Sequence, residues 1–363
     1  MKTEAQPQTQ AENLTSLKPR RRLPGLQELG LVVVLLVMGG ALSVRGYTMA
    51  APGEENHFLN PSNLLDQIAT PASYYAIMAV GMTLVIISGG IDISVGSTMA
   101  LSAFTAARVL QYMPPNAPAW EVLPVAFAVP MGVGLLCGLL NGALVVGLNM
   151  HPFIVTLGTM SILRGITVVT TQLQEIPMQD HQIPLAFTEH FMRVKIFDQR
   201  PMPMVIMLIV AAIGGFYLSQ TAGGREIYAV GGNEEAARFS GLRTNWIKLQ
   251  VYVVAGLTAG IAGMVWLGRF GATSTGSADG YELTVVAAAV VGGASLTGGK
   301  GTALGALLGA LIIATIQNGI ITMHWKTEYN KIIVGSAIIV AVAIDHFSDY
   351  LRQRRLAGAK TLA

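Results

Sequence analysis

The sequence predicts an all-α protein: a polytopic helical membrane bundle of about ten transmembrane helices, with one short helix on its cytoplasmic face. Three observations carry that prediction. Hydrophobic residues make up 52% of the 363-residue chain and charged residues only 12%, too few to cover a water-soluble surface of this size. Mean hydropathy is +0.54, with 41 glycines dispersed through the apolar stretches. Apolar runs of about 20 residues, the length that crosses a bilayer, recur along the whole chain. A cytoplasmic enzyme, a nucleic-acid binder and a secreted disulfide scaffold are excluded together. The net charge of +3 follows from membrane topology, and the single cysteine, Cys137, admits no intrachain disulfide.

Ten runs are read as spans: 26–45, 66–88, 92–112, 121–146, 153–173, 201–219, 247–268, 282–297, 302–322 and 331–347. The first follows Arg20, Arg21 and Arg22, an arrangement that suits a retained anchor better than a cleaved signal because no small-residue cleavage site follows closely. The second, third and eighth are interrupted by glycines and, near the second and third, by Asp92. Ten spans put both termini on one side. Basic residues cluster in the N-terminal tail (1–25), in the 223–248 loop, at Lys300 and in the C-terminal tail (349–363). The positive-inside rule makes that side cytoplasmic, which leaves 26–348 as the membrane domain of a multi-pass protein.

Small residues recur every three or four positions within these runs, as in Ala255-Gly256-Leu257-Thr258-Ala259-Gly260. Such spacing lets helix backbones approach closely where no hydrophobic effect drives them together. It suits a bundle whose helices slide between arrangements, as a transporter's must.

Ionisable and amide side chains inside spans are the candidate path residues. Asp92 lies in Ser88-Gly89-Gly90-Ile91-Asp92-Ile93-Ser94-Val95-Gly96. There it either caps the next helix or lines a polar cavity at a helix break. Arg164 must face protein or water, with Asp92 as one partner open to it, in a structural ion pair or on the path. Asn141, Gln317 and Asn318 either join helices or line the same route. The six histidines have no metal-ligand spacing. The chain has no phosphate-binding loop, because Thr297-Gly298-Gly299-Lys300-Gly301-Thr302 lacks the required spacing, and no G-x-S-x-G or H-E-x-x-H string.

The sharpest local signal is Gly231-Gly232-Asn233-Glu234-Glu235-Ala236-Ala237-Arg238-Phe239-Ser240-Gly241. Asn233 is an N-cap, and Glu234 and Glu235 place negative charge on the first turn. Arg238 complements the far end of the dipole, and Gly241 supplies a left-handed stop. Two turns do not hold in water alone. The helix therefore docks against a partner through Ala236 and Phe239, or rests on lipid headgroups.

Within it, Glu235-Ala236-Ala237-x-x-x-Gly241 is similar to the EAA-x-x-x-G coupling loop of permeases in binding-protein-dependent ABC importers. The chain resembles their ribose/xylose branch at Ser88–Gly96, Asn141-Gly142, Pro152-Phe153-Ile154-Val155-Thr156-Leu157-Gly158-Thr159 and Val290-Val291-Gly292-Gly293-Ala294-Ser295-Leu296-x-Gly298-Gly299. The resemblance runs from about residue 25 to 348; the Ile-x-Leu-Pro that extends the loop in maltose-type importers is absent after Gly241. It implies a permease subunit that moves a monosaccharide or related polyol (ribose-, xylose- or inositol-like). It further implies a second permease copy, a dimeric ATPase that carries ATP and Mg, and a periplasmic sugar-binding protein, with no cofactor on this chain and no nucleic-acid partner. Residues 231–241 would be the ATPase-coupling element, and the outward loops near 46–63, 174–200 and 269–281 would receive the binding protein. The path would run near Asp92, Asn141, Arg164 and Asn318. Gly-Gly-Ile-Asp-Ile-Ser and Gly-Gly-Ala-Ser-Leu-Thr, beginning at Gly89 and Gly292, hint at an internal repeat. The alternative is an ion-coupled secondary transporter or channel, whose marker would be several intramembrane carboxylates; only Asp92 qualifies on this reading.

Overall fold

In a computed structural model, the described residues are 25–49, 56, 58–171, 175–178, 180–326, 328–340 and 342–343. Residues 1–24 of the expected 1–25 tail, the expected tail 349–363 and the end of the tenth run lie outside them. The described residues form a helical membrane bundle. The helices are α1 (Leu26–Met49), α2 (Thr70–Ile87, continuous with a π-helical lead Asn63–Ala69), α3 (Val95–Leu110), α4 (Ala119–Gly147) and α5 (Pro152–Thr171). There follow the short α6 (Leu185–Phe187, with a π-helical tail Thr188–Met192), α7 (Met202–Gln220), α8 (Ala222–Gly232), α9 (Glu234–Phe239), α10 (Thr244–Phe270), α11 (Tyr281–Val291) and α12 (Ala303–Thr322). A last apolar helix, α13, covers Tyr329–Val340.

Among the described residues seven helices are long and apolar enough to cross a membrane, and α3, α11 and α13 are shorter. The expected spans 92–112 and 282–297 are thus corrected. At 1.5 Å per residue the eleven residues of α11 reach only about 16 Å, roughly half a hydrocarbon core. Non-helical segments at 88–94 and 271–280 supply the missing length. Each starts where the chain must turn left-handed, at Gly89 (φ +84°) and at Gly271 (φ +71°), the stop of α10. The 223–248 loop, expected to hold one short helix, holds two: Thr221 caps α8, its Oγ1 accepting from the Gly224 amide at 3.1 Å.

Helix α2 is the axis of the bundle: 94% of its most apolar stretch is buried, against 11% for α1 and 17% for α7. Around α2 stand α10, α12, α7 and α11, while α1, α4, α5 and the outer face of α7 turn apolar side chains outward. Small residues close the seams. A methyl group at Gly256 of α10 would overlap the Gly134 carbonyl of α4 and lie 2.7 Å from the Gly138 Cα. Gly292 and Gly309 are held as tightly between α11 and α12. At the end of the bundle remote from α9, backbone hydrogen bonds between Ile176 and Thr273 in both directions (2.9 and 2.8 Å) tie the 175–200 segment to 271–280.

Gly256→Val is expected to overpack the α4–α10 seam at a cost of about 1–3 kcal/mol, lowering the melting temperature of the detergent-solubilised protein. Gly158→Ala, at a glycine with no atom within 4 Å of a new methyl group, should leave it unchanged.

Candidate functional site: a capped helix seated on two helix breaks

Helix α9 is built as its sequence dictates. Asn233, extended at φ −162°, accepts the Ala236 amide on its side chain at 2.9 Å. Glu234 and Glu235 occupy the first turn. Gly241 stops the helix at φ +89°, and the amides of Gly241 and Leu242 close on the carbonyls of Arg238 and Ala237 at 3.0 and 3.1 Å. Ala237 is the residue that packs inward. Ala236 and Phe239 face outward with Phe239 79% exposed, and the Arg238 guanidinium stands 5.9 Å over its ring. Glu234 pairs with Lys248 at 2.6 Å, which joins α9 to the start of α10.

Just before α9, Gly231 lies against the end of α2. A methyl group there would overlap the Ile87 carbonyl and sit 2.7 Å from the Gly299 amide. That amide donates to the same Ile87 carbonyl at 2.8 Å. The Tyr228 hydroxyl of α8 donates to the Gly301 carbonyl at 2.6 Å. The two glycine-rich breaks, 88–94 and 292–302, therefore meet under the α8–α9 corner.

Asp92 is 2% exposed and Asn141 1%. One Asp92 oxygen accepts from the Ser94 amide (2.8 Å) and the Ser94 hydroxyl (2.6 Å), while the Asn141 side-chain amide donates to Ser94 Oγ (2.7 Å) and to Asp92 (3.3 Å). Asp92 thus organises the approach to α3 from three residues ahead of its first residue, and Ser94 takes the cap position. The suggested Asp92–Arg164 pair does not form. Arg164 donates to the carbonyls of Thr275 (3.3 Å), Ser277 (2.9 Å) and Ala278 (3.4 Å) and lies 3.8 Å from Asp279. The reason is topological: Arg164 sits in the second half of α5, beside the segment that follows α10, whereas Asp92 follows α2 at the α9 end. Asn318 exchanges hydrogen bonds with Asn63 at 2.7 and 3.3 Å and joins α12 to the start of α2. The four expected path residues thus fall in three places, and only Asp92 and Asn141 meet.

Two further carboxylates were missed because they stand at the edges of the apolar runs. Asp66 pairs with Arg269 at 3.4 Å. Glu282 approaches the start of α3, where a methyl group on Gly96 would lie 2.6 Å from its Oε2 and 3.1 Å from the Ala278 carbonyl. The break from the α9 end and the break from the far end therefore converge at Gly96. Also missed was a ring cluster on α2, α10 and α11: Tyr74, Tyr75, Trp266, Phe270 and Tyr281. The i, i+4 spacing of Trp266 and Phe270 was its only local signal. Among the described residues no group of three His, Cys, Asp or Glu is arranged to hold a metal ion.

Residues 64–342 match the family described as branched-chain amino acid transport system / permease component. The chain is 38% identical over 294 residues to the ribose import permease protein RbsC of Haemophilus influenzae, covering 80% of this chain and 87% of that one. It is 33% identical to the Bacillus subtilis ribose import permease protein RbsC, over 92% and 98% of the two chains. It is 32% identical to the galactose/methyl galactoside import permease protein MglC of Escherichia coli, over 94% and 100%. No solved structure matches the chain.

Removing the cap by Asn233→Ala should cost about 1 kcal/mol and speed amide exchange in 236–239 about fivefold, read by hydrogen–deuterium exchange. Gly231→Ala should lower the melting temperature, because the new methyl group meets backbone on two sides, whereas Gly232→Ala, which meets nothing within 4 Å, should not.

Proposed function

The chain belongs to the branched-chain amino acid transport system / permease component family, and we propose that α9 is the lever through which an ATPase drives it. It is a membrane permease of a monosaccharide ABC importer, as its relatives that import ribose, allose and galactose are. Membership of that family brings an ATPase and a substrate-binding protein as partners. The observation that carries the proposal is a fully capped six-residue helix whose Ala236 and Phe239 face outward, uncovered by the described residues. An aromatic side chain of this exposure, framed by charged residues, is the kind of anchor that fills a groove on a partner.

On this reading ATP is hydrolysed on the partner, with its Mg, and no cofactor sits on the permease. A second permease copy completes the membrane unit in the bacterial inner membrane, with lipid around it and both termini cytoplasmic. Nucleotide-driven closure of the ATPase displaces α9. Gly231 bears directly on the Ile87 carbonyl and the Gly299 amide, so the displacement reaches both helix breaks in one step, a rigid-body shift of the kind packed helices permit. The sugar's route passes the Asp92–Asn141 cluster, which supplies buried polar groups at a break. Arg164 fixes the 275–278 segment at the outer end, and Asn318 fixes α12 on α2. The outer 175–200 and 271–280 segments, already joined at Ile176 and Thr273, form the seat of the binding protein. The cargo is a pentose, hexose or related polyol of the ribose, xylose or inositol kind.

The test is copurification with the ATPase and uptake of D-ribose, D-galactose or D-allose in membrane vesicles. Glu235→Arg and Phe239→Asp should each reduce ATPase capture and uptake more than about tenfold, the effect of losing an interface anchor, at unchanged permease abundance. Uptake that survives both changes and continues without ATP would instead identify an ion-coupled carrier.

A further inference from the structure

The ring cluster has a direction. Phe270, 53% exposed, forms part of a cleft of about 250 Å³ between Phe270–Gly271 and the 177–193 segment, at the end of the bundle remote from α9. From there the rings pass inward in contact. Phe270 lies 4.4 Å from Trp266, Trp266 lies 5.3 Å from Tyr74 and 5.8 Å from Tyr281, and Tyr281 lies 4.8 Å from Tyr75. Tyr74 is 1% exposed and Tyr75 5%. The series runs from an open cleft to the buried axis of the bundle.

Two polar atoms within it are buried and have no hydrogen-bond partner among the described residues: the Tyr74 hydroxyl and the Trp266 Nε1–H. Buried tyrosine and tryptophan polar atoms are ordinarily paired. Leucine or phenylalanine would fill the same space at no such cost. Arg269, the neighbour of Phe270 in the chain, and Asp66 are committed to each other. The neighbouring Glu282 turns its carboxylate toward Gly96 of α3, and what the rings themselves offer is therefore apolar surface, one unpaired N–H donor and one unpaired hydroxyl. That is the complement of a neutral sugar, which has C–H faces that lie on rings and hydroxyls that need a donor and an acceptor.

We propose that Phe270, Trp266, Tyr74, Tyr281 and Tyr75 form the outer gate of the sugar path, and that the Tyr74 hydroxyl and Trp266 Nε1–H bind the hydroxyls of the passing monosaccharide. The proposal rests on the reading of this chain as a sugar permease and names residues for the cargo that the coupling helix does not touch. In the closed arrangement the rings pack on one another; as they part, each polar atom exchanges an empty neighbourhood for a sugar hydroxyl.

The experiment uses the full importer reconstituted in proteoliposomes with its ATPase and with binding protein loaded with D-ribose, D-galactose or D-allose. Tyr74→Phe and Trp266→Phe each remove one polar atom and keep a ring. Each should lower sugar uptake about tenfold, the worth of a hydrogen bond made to the cargo during transfer. ATP hydrolysis stimulated by the loaded binding protein should persist, so that fewer sugars move per ATP, and the melting temperature of Tyr74→Phe should stay level or rise. Unchanged uptake per ATP in both variants would overturn the gate, as would a loss of uptake that tracks a lowered melting temperature in Tyr74→Phe. Failure of the sugar reading itself looks different: the unmodified importer would move none of the three sugars, and the gate would fall with it.

Discussion

The hydrogen bond from the Gly299 amide to the Ile87 carbonyl answers the hardest constraint on this molecule. A helix that stops within a membrane leaves carbonyls with no partner in the helix, and hydrocarbon offers none. Here the stop after α2 and the turn between α11 and α12 satisfy each other. The Gly301 carbonyl, in the same turn, is taken by Tyr228 of α8. The breaks are affordable only as a pair, and α8 closes over both. The other interruptions obey the same rule: the carbonyls of Thr275, Ser277 and Ala278 in the 271–280 segment converge on the Arg164 guanidinium. Beside α3, Asp92, Ser94 and Asn141 are hydrogen-bonded to one another, with only the Asn141 Oδ1 left unpaired among the described residues.

Close packing of glycine on backbone follows from that constraint. For the turn at 298–299 to reach Ile87 with α8 above it, nothing larger than hydrogen fits at Gly231, and Gly292 must lie flat on Gly305 of α12. These seams are dispersion contacts between backbones, strong in sum and weak in direction. A helix can slide along such a seam without breaking a directional bond, so the glycine content that first marked the chain as a membrane protein also fits it for switching.

The fold was legible because its signals are local. Ten apolar runs became ten apolar helices, and the glycines that interrupted the third and eighth marked the shortened α3 and α11. Helix α9 was legible to the residue, since Asn233, Glu234, Glu235 and Gly241 act within one segment. Ala236 and Phe239, the residues expected to meet a partner, face outward, whereas the inward packing of Ala237 depends on α8 and α10 and had no signal within the segment. The partner of Arg164 could not be read from the chain. It is a set of carbonyls more than a hundred positions away, which have no side-chain signature. Asp66 and Glu282 escaped for a different reason, standing where apolar runs begin and passing for ordinary flanking charges. The ring cluster draws from three helices, and no single window contains it.

Each ring-bearing helix leads to the α8–α9 corner. Helix α2 carries Tyr74 and Tyr75 near one end and Ile87 at the other, about 20 Å away along a rigid, buried rod. Helix α10 begins beside α9 through the Lys248–Glu234 pair and ends at Phe270. Helix α11 opens at Tyr281 and closes at Gly292, in the break that reaches Ile87. Helices transmit displacement along their length far better than they absorb it, because every turn is held by its own hydrogen bonds. A shift imposed at Gly231 therefore acts on the rings through α2 and α11 together, while the ion pair at Lys248 acts through α10. If the three helices move unequally, the ring contacts at the far end must open or slide. One corner of backbone is thus mechanically joined to both ends of the bundle, and no side chain has to reach across it.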